Sequence, residues 1–169
     1  MSEELAEIGL EVASKLGATY ADIRFVENER RDVGIRDGKP ERLTHSLGSG
    51  FGVRALAEGG WGFAGSRDIT AEGIKKTVEL AVKIAKASSM KSKGEVKLAD
   101  VPTRKDAYET PVRKDPMKVP LEDILDLLIS ADKAYREKSS HIRMTGGDVE
   151  ARREEKYIAT SEGSRIKQK

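Results

Sequence analysis

The sequence contains no cysteine, one asparagine (Asn28), one glutamine (Gln168) and two histidines (His45 and His141). Without thiols there is no disulfide and no thiolate zinc site, so nothing in the composition argues for secretion. The shortage of thermolabile residue types, set beside abundant Lys, Glu and Arg, points to a hot-adapted source. No apolar run approaches the length needed to span a bilayer. The first residues, Met1-Ser2-Glu3-Glu4, are acidic where a signal peptide would be basic. Although 36% of the residues are charged, 31 Lys+Arg against 29 Asp+Glu leave a formal net charge of +2. No field of one sign therefore favours nucleic acid or a membrane surface. These absences describe a soluble, cytoplasmic chain with a salt-bridged surface, whose 169 residues suffice for one domain or one domain plus the start of another.

What is present centres on a glycine-rich stretch, Gly48 to Ser66, which holds seven of the sixteen glycines, two of the three phenylalanines and the only tryptophan. Two β-forming runs flank Glu58-Gly59-Gly60, and the stretch reads as a β-hairpin. A two-residue turn places Arg54, Leu56, Trp61 and Phe63 on one face, and Phe51, Val53, Ala55, Gly62 and Ala64 on the other. Gly50 and Gly52 add no side chain to the Arg54 face, which lets another backbone or an alanine-rich helix approach the sheet closely there.

The rest of the chain is α+β: a mostly antiparallel sheet of meander and hairpin strands packed with helices, followed by the start of a second α/β unit. Ser2 can cap a helix with Leu5, Ile8, Val12 and Leu16 at helical spacing, ended by Gly17. Ala21, Ile23 and Phe25 alternate with Asp22 and Arg24 as a half-exposed strand. A second strand over 32–36 turns at Asp37-Gly38 and returns through 41–44, beginning after Pro40 or lying at an edge. Thr70 is placed to cap a helix with Ile74, Val78, Ala81 and Ala85 on one stripe, widened by Leu80 and Ile84. From Ser88 to Val119 the periodicity disappears, apart from a short strand at 96–98. Pro120 opens a third helix with the stripe Leu121, Ile124, Leu125, Leu128, Ala131 and Tyr135. Two strands over 141–153 and 156–160 and a turn at Ser161-Glu162-Gly163 lead into a further strand at Arg165. The expected organisation is a domain over 1–87, an irregular strap over 88–118, and a helix with a β-hairpin over 119–169. A new strand opening at the very end suggests the front part of a longer protein.

Few residues carry chemistry. Gly60-Trp61-Gly62-Phe63-Ala64-Gly65 fits the G-x-G-x-x-G pattern, but no helix follows directly and no acid stands at the right distance, so a dinucleotide site is not expected. His45 and His141 have no companion at ligand spacing, and no metal ligand is assigned. Ser161 lies in a turn outside any nucleophile elbow. Glu3-Glu4, Glu122-Asp123 and Glu154-Glu155 read as helix-start or solvated charges. The basic residues Lys83, Lys86, Lys91 and Lys93, and the tail Arg165, Lys167 and Lys169, lack aromatic interleaving and read as solvated. No catalytic residue is expected. Arg54, Trp61 and Phe63 are the candidate substrate-binding residues. Their shared face is either a structural cation–π contact or a surface where an extended peptide adds to a sheet edge.

Tyr20 to Phe25, Gly34 to Glu41, Gly50 to Leu56, Gly60 to Ala64 and the helix after Asp68-Ile69-Thr70 resemble the N-terminal part of the TldD/PmbA family, once described as modulators of DNA gyrase. Thr160-Ser161-Glu162-Gly163 resembles that family's serine-glutamate-glycine turn, and the tryptophan-bearing hairpin is closer to the TldD branch. The resemblance implies a cytoplasmic zinc metallopeptidase, assembled as a two-subunit shell with a family-related partner and acting on unfolded or short peptides. It also implies that the metal is held by an H-E-x-x-x-H helix and a later cysteine in the C-terminal portion. This sequence has neither, so no catalytic or metal-binding role carries over, zinc is expected only outside it, and the chain alone is expected to be inactive. It would supply scaffold, subunit contacts and part of the substrate-chamber wall, with no nucleic-acid or membrane partner. The alternative is a stand-alone peptide- or protein-interaction module without enzymatic activity.

Overall fold

In the computed structural model, residues 2–90, 96 and 98–169 are described. The expected strand at 96–98 includes Lys97, and the basic segment includes Lys91 and Lys93; all three lie outside the described residues. The described residues form helices α1 (Ser2–Lys15), α2 (Ala71–Ser89) and α3 (Leu121–Lys138), a 3-10 turn at Pro116–Lys118, and six strands. The strands are β1 (Tyr20–Arg36), β2 (Lys39–Ala57), β3 (Gly60–Ser66), β4 (Lys105–Tyr108), β5 (Gly146–Thr160) and β6 (Arg165–Gln168). They lie in one sheet in the order β3-β2-β1-β5-β6-β4, with β2–β3 and β5–β6 antiparallel and β4–β6 parallel. This is the expected α+β class with a mostly antiparallel sheet.

Two turns account for the first half of the sheet. Asp37 (φ 51°) and Gly38 (φ 74°) turn β1 into β2, and Glu58 (φ 52°) and Gly59 (φ 78°) turn β2 into β3. Both are two-residue turns with left-handed backbone at both positions, the form that matches strand twist. The strands between them run longer than the sequence pattern suggests. The segments expected at 21–25 and 32–36 are one strand, as are 41–44 and the first arm of the glycine-rich hairpin. Pro40 falls within β2, on a stretch that β3 does not reach, because β3 pairs only with Phe51–Ala57. A missing N–H is harmless on such an edge.

The chain divides into two compact units, one of Met1–Glu27, Ser49–Glu109 and Glu155–Lys169, the other of Asn28–Gly48 and Thr110–Glu154. In the first unit, Ala21, Ile23 and Phe25 join Phe51, Val53, Ala55, Ala64, Ile74, Val78, Ala81 and Ala85 in the core. Thr70 caps α2, accepting from the Gly73 N–H at 3.0 Å. The buried stripe of α2 is as expected, but Leu80 and Ile84 are exposed, and the side chains that widen the stripe are Thr77 and Val82. In α1 the buried face is Ala6, Gly9, Leu10 and Ala13; Leu5, Ile8 and Val12 flank it half-buried, and Leu16 lies outside the helix. The reason is Gly9, where an added β-carbon would stand 2.9 Å from Ile74 Cγ2. The small residues bring the helix close, and this contact outweighs the larger apolar stripe. Gly17 (φ 85°) ends α1, with its N–H donating to Ser14 O and the Ala18 N–H to Ala13 O, both at 3.0 Å, the paired bonds of a Schellman stop.

β6 is paired on both sides. The strap expected to be irregular supplies β4, and Lys105–Tyr108 runs in register with Arg165–Gln168. Thr103 Oγ1 donates to Glu162 O at 2.8 Å, and the Arg104 N–H to Ser164 Oγ at 3.1 Å, fixing this segment against the Ser161-Glu162-Gly163 turn.

In the second unit, Val33 and Ile35 pack with Ile124 and Leu128 of α3. The α3 stripe departs from expectation at its C-terminal half: Ala131 and Tyr135 are exposed and Asp132 is buried. Asp132 accepts from Arg136 Nε at 3.0 Å and from the Thr145 hydroxyl, while Arg136 also reaches Asp37 at 2.7 Å. The Thr145 N–H donates to Asp37 Oδ1 at 3.0 Å. A charged network at the Asp37-Gly38 turn thus sets the helix rotation there. It also holds Thr145 outside any strand, so the segment expected as a strand from His141 starts only at Gly146. β5 then continues to Thr160 without the expected break, and its polar run is paired, Arg152 with Glu154 at 2.6 Å and Arg153 with Glu29 of β1 at 2.9 Å.

Candidate functional site

The register Leu56↔Trp61 and Arg54↔Phe63 puts Arg54, Leu56, Trp61 and Phe63 on one face of the sheet, as the hairpin pattern requires. The opposite face, with Gly60 and Gly62, receives α2. A β-carbon on Gly60 would stand 2.7 Å from Ser88 Oγ, and one on Gly62 would stand 3.0 Å from Ala85 Cα and overlap the Ala81 carbonyl. The small-residue stripe of α2 thus packs against a glycine-bearing face, that of Gly60 and Gly62, and not against the Gly50 and Gly52 face that was also open to a close approach. The reason is that Ala81 and Ala85 fit the gaps left by Gly60 and Gly62, while the space over Gly52 is taken by Phe63, whose ring would lie 3.0 Å from a β-carbon there. The same packing settles the G-x-G-x-x-G pattern. Its first two glycines face a helix backbone, with no room for a pyrophosphate.

On the Arg54 face the structure assembles more than sequence reasoning found. Asp22 from β1 is buried, its side chain 3% exposed, and its carboxylate accepts from Arg54 Nε at 2.7 Å, Arg24 Nε at 3.2 Å and the Tyr20 hydroxyl at 3.1 Å. The Arg54 guanidinium carbon lies 5.0 Å from the Trp61 ring centre and 5.9 Å from that of Tyr20. Tyr20 and Trp61 meet edge to face, with centroids 5.8 Å apart at 79°. Each such aromatic or cation–π contact contributes on the order of 1 kcal/mol. Burial works against the Arg54 charge, but the bond to Asp22 and that group's charge outweigh it, and the Arg54 pKa rises above its ordinary value. Burial and the Asp22 charge together push the Tyr20 phenol up, although Arg54 pulls the other way.

Arg54 and Trp61 are thus brought into contact. Phe63 stands opposite Arg54 in register, but its ring lies over Gly52 and it is 66% exposed. Tyr20, Asp22 and Arg24 are members of this group that the hairpin pattern does not reveal. Their signal is the alternation in β1 itself: Ala21, Ile23 and Phe25 point to the core, so Tyr20, Asp22 and Arg24 occupy the other face. Two cations share one buried carboxylate, which leaves guanidinium N–H groups beside an indole and an exposed phenyl ring. Chemically, such a surface accepts carbonyl or carboxylate oxygens and covers apolar side chains.

The remaining candidates have structural partners. Ser161 Oγ accepts from the Ala21 N–H at 3.0 Å, and the Ser161 N–H donates to Ala21 O at 2.8 Å, so this serine ties the turn to β1. His45 Nε2 contacts Glu29 at 2.9 Å, and the His141 ring nitrogen Nδ1 lies 3.4 Å from Ser139 Oγ. Among the described residues, no three His, Asp or Glu side chains gather where a metal could be held, so the donor set here does not fit a metallopeptidase zinc site. Arg165 pairs with Glu7 at 2.6 Å and also donates to Thr160 O at 2.8 Å, and Lys169 pairs with Glu155 at 3.4 Å. No described helix is long and apolar enough to cross a membrane.

Comparison with known proteins places these features. Residues 21–85 match the PmbA/TldA metallopeptidase domain 1, and residues 114–169 the PmbA/TldA metallopeptidase central domain. A metalloprotease of Methanocaldococcus jannaschii is 33% identical over 165 residues, 97% of this chain and 34% of the relative. The fold is shared with the solved structure of TldE from Thermococcus kodakarensis, with TM-score 0.72, 20% identity, and 99% of this chain and 36% of that one covered. It is also shared with a Bacteroides thetaiotaomicron protein described as a modulator of DNA gyrase, with TM-score 0.73, 16% identity, and 98% and 38% covered. The chain spans little more than a third of the length of each of these three proteins.

Proposed function

Because the chain belongs to the PmbA/TldD metallopeptidase family, we propose that it is the leading, non-catalytic part of a zinc metallopeptidase that acts on unfolded or short peptides in the cytoplasm. The observation that carries this reading is the pair of domain matches, first and central, in order along a chain little more than a third as long as its relatives. Among the described residues none gather to fit a zinc site, and on this reading the metal would be held by the remaining portion, where it would polarise the scissile carbonyl and activate water. This chain contributes a scaffold, contacts with a family-related subunit and part of the chamber wall.

Within that wall, Arg54, Trp61 and Phe63 are the peptide contacts. β3 is the terminal strand of the sheet, so an extended peptide adding to its outer edge would run past Trp61 and Phe63 and within reach of the Arg54 guanidinium. Hydrolysis is not among its own activities. The test is the purified 169-residue chain: it should bind no stoichiometric zinc and cleave no unfolded peptide, yet retain a labelled unstructured peptide. Peptidase activity surviving metal-free purification would overturn the reading. So would a natural stop codon after Lys169, in place of a frame encoding H-E-x-x-x-H and a later cysteine.

A further inference from the structure

Both oxygens of the buried Asp22 carboxylate are engaged by cations. Arg24 Nε donates to Oδ1 at 3.2 Å, and Arg54 Nε donates to Oδ2 at 2.7 Å, with Arg54 Nη2 at the same distance from Oδ2. Two guanidiniums against one carboxylate leave one positive charge over, and among the described residues neither arginine has a second acid partner. The Asp22 side chain is 3% exposed, while those of Arg24 and Arg54 are 53% and 44% exposed. The carboxylate beneath them therefore fixes where the two guanidiniums stand without using their outward donors. A guanidinium offers five N–H groups in a planar fork, and only Nε of Arg24 has an acceptor among the described residues. Apolar surface adjoins this charge: the Trp61 ring centre is 5.0 Å from Arg54 Cζ, and Phe63, opposite Arg54 in register, is 66% exposed.

We infer that this face reads the end of a peptide: the free α-carboxylate of a C-terminal residue lies on the guanidiniums of Arg24 and Arg54, and the apolar side chain of that residue lies against Phe63 and Trp61. A guanidinium fork matches a carboxylate in both charge and geometry. The short distance between charge and ring selects the source of that carboxylate. In an extended chain neighbouring side chains point to opposite faces, so an acidic side chain and an apolar one on the same face are about 6–7 Å apart along the backbone. A C-terminal residue carries both groups on one α-carbon. A phosphate would bring the charge without the apolar group. Arg24 sets the preference, because Arg54 is already committed to Asp22 through two nitrogens and to the Trp61 ring. Since Asp22 holds both side chains before the ligand arrives, little ordering is left for binding to do. The inference deepens the peptide-wall reading and rests on it only for the ligand being a peptide.

Trp61 is the only tryptophan, so its fluorescence reports binding beside Arg54 directly. Three acetylated peptides serve as probes: three alanines followed by a C-terminal phenylalanine with a free carboxylate, the same peptide as its C-terminal amide, and an amide in which the second alanine is replaced by aspartate. At low salt the free acid should bind about tenfold more tightly than either amide, and the difference should shrink as salt is added. Arg24→Gln should bring the acid down to the affinity of the amide and leave the amide where it was, because Arg54 still pairs with Asp22 in that variant. Free acid and amide bound equally by the unsubstituted chain would overturn the proposal while leaving the peptide surface itself standing. Discrimination that survives Arg24→Gln would overturn it as well, and so would an aspartate amide bound as tightly as the free acid. Binding of none of the three peptides would remove the peptide reading of this face together with the proposal.

Discussion

The backbone of Ala85 lies directly against Gly62, where an added β-carbon would stand 3.0 Å from Ala85 Cα and overlap the Ala81 carbonyl oxygen. Nothing there is a flexible side-chain end that could swing away, so Gly62→Ala must push α2 off the sheet. The expected loss is about 3 kcal/mol or more in denaturant unfolding. Gly48→Ala is the control: no atom lies within 4 Å of its added β-carbon, and its φ is not in the left-handed region. It should leave stability unchanged or raise it by up to about 1 kcal/mol. Equal effects at the two glycines would mean that the helix does not seat on Gly62.

Tyr20 should resist ionisation. Burial, then the neighbouring Asp22 charge, favour the neutral phenol, so its folded pKa lies above the ordinary value of about 10. A raised folded pKa contributes stability that is complete below the unfolded value and is lost as pH rises through the folded one. In a tyrosinate absorbance titration, Tyr20 should ionise late. Asp22→Asn removes the charge and should bring that ionisation to lower pH, while Tyr157, raised chiefly by its own burial, should be unaffected. A Tyr20 titration unmoved by Asp22→Asn would deny the coupling.

The Asp132 network makes the opposite prediction at acid pH. The Thr145 hydroxyl, its largest influence, and then Arg136 hold the Asp132 carboxyl below its ordinary value against opposing desolvation, and the Thr145 N–H, followed by Arg136, does the same for Asp37. Both folded pKa values are depressed, so the stabilisation is complete above the ordinary carboxylate range near about pH 4 and is lost as pH falls below that range through the folded values. Protection of α3 amides from hydrogen exchange should fall as pH drops below about 4. Asp132→Asn should reduce protection at neutral pH and flatten that dependence. A variant with the wild-type acid profile would show that the network carries no linkage.

Much of this fold is visible in residue pattern because it rests on local rules. Asp37-Gly38 and Glu58-Gly59 demand left-handed backbone, Thr70 caps α2, and alternation fixes which side of the hairpin Arg54 and Trp61 share. The features that pattern leaves hidden depend on contacts distant in sequence. Whether α2 lies on Gly52 or on Gly62 is decided by Phe63 filling one space and Ala81 and Ala85 fitting the other. β4 exists because Arg165–Gln168 offers Lys105–Tyr108 an edge, which no periodicity in the strap announces. Asp22 has the pattern of the solvated half of an alternating strand, yet it is buried because Tyr20, Arg24 and Arg54 converge on it. The lack of cysteine and of an H-E-x-x-x-H helix, by contrast, needs only residue identity to read.

Phe63 separates a binding surface from a structural one. Arg54 and Trp61 support each other and Asp22, so Arg54→Ala should cost about 1–3 kcal/mol of stability by stripping a partner from a buried carboxylate. A loss of peptide affinity in that variant would be ambiguous. Phe63 is 66% exposed and bonds to none of that cluster, so Phe63→Ala should change stability by no more than about 1 kcal/mol. If an extended peptide pairs with the outer edge of β3, the ring is one of its contacts, and affinity for a labelled unstructured peptide should fall about fivefold to tenfold. Trp61→Phe, which keeps an aromatic face beside Arg54, should retain most of both properties. Stability lost in Arg54→Ala with peptide affinity unchanged there and in Phe63→Ala would leave this face a structural cation–π cluster and remove it from the substrate wall.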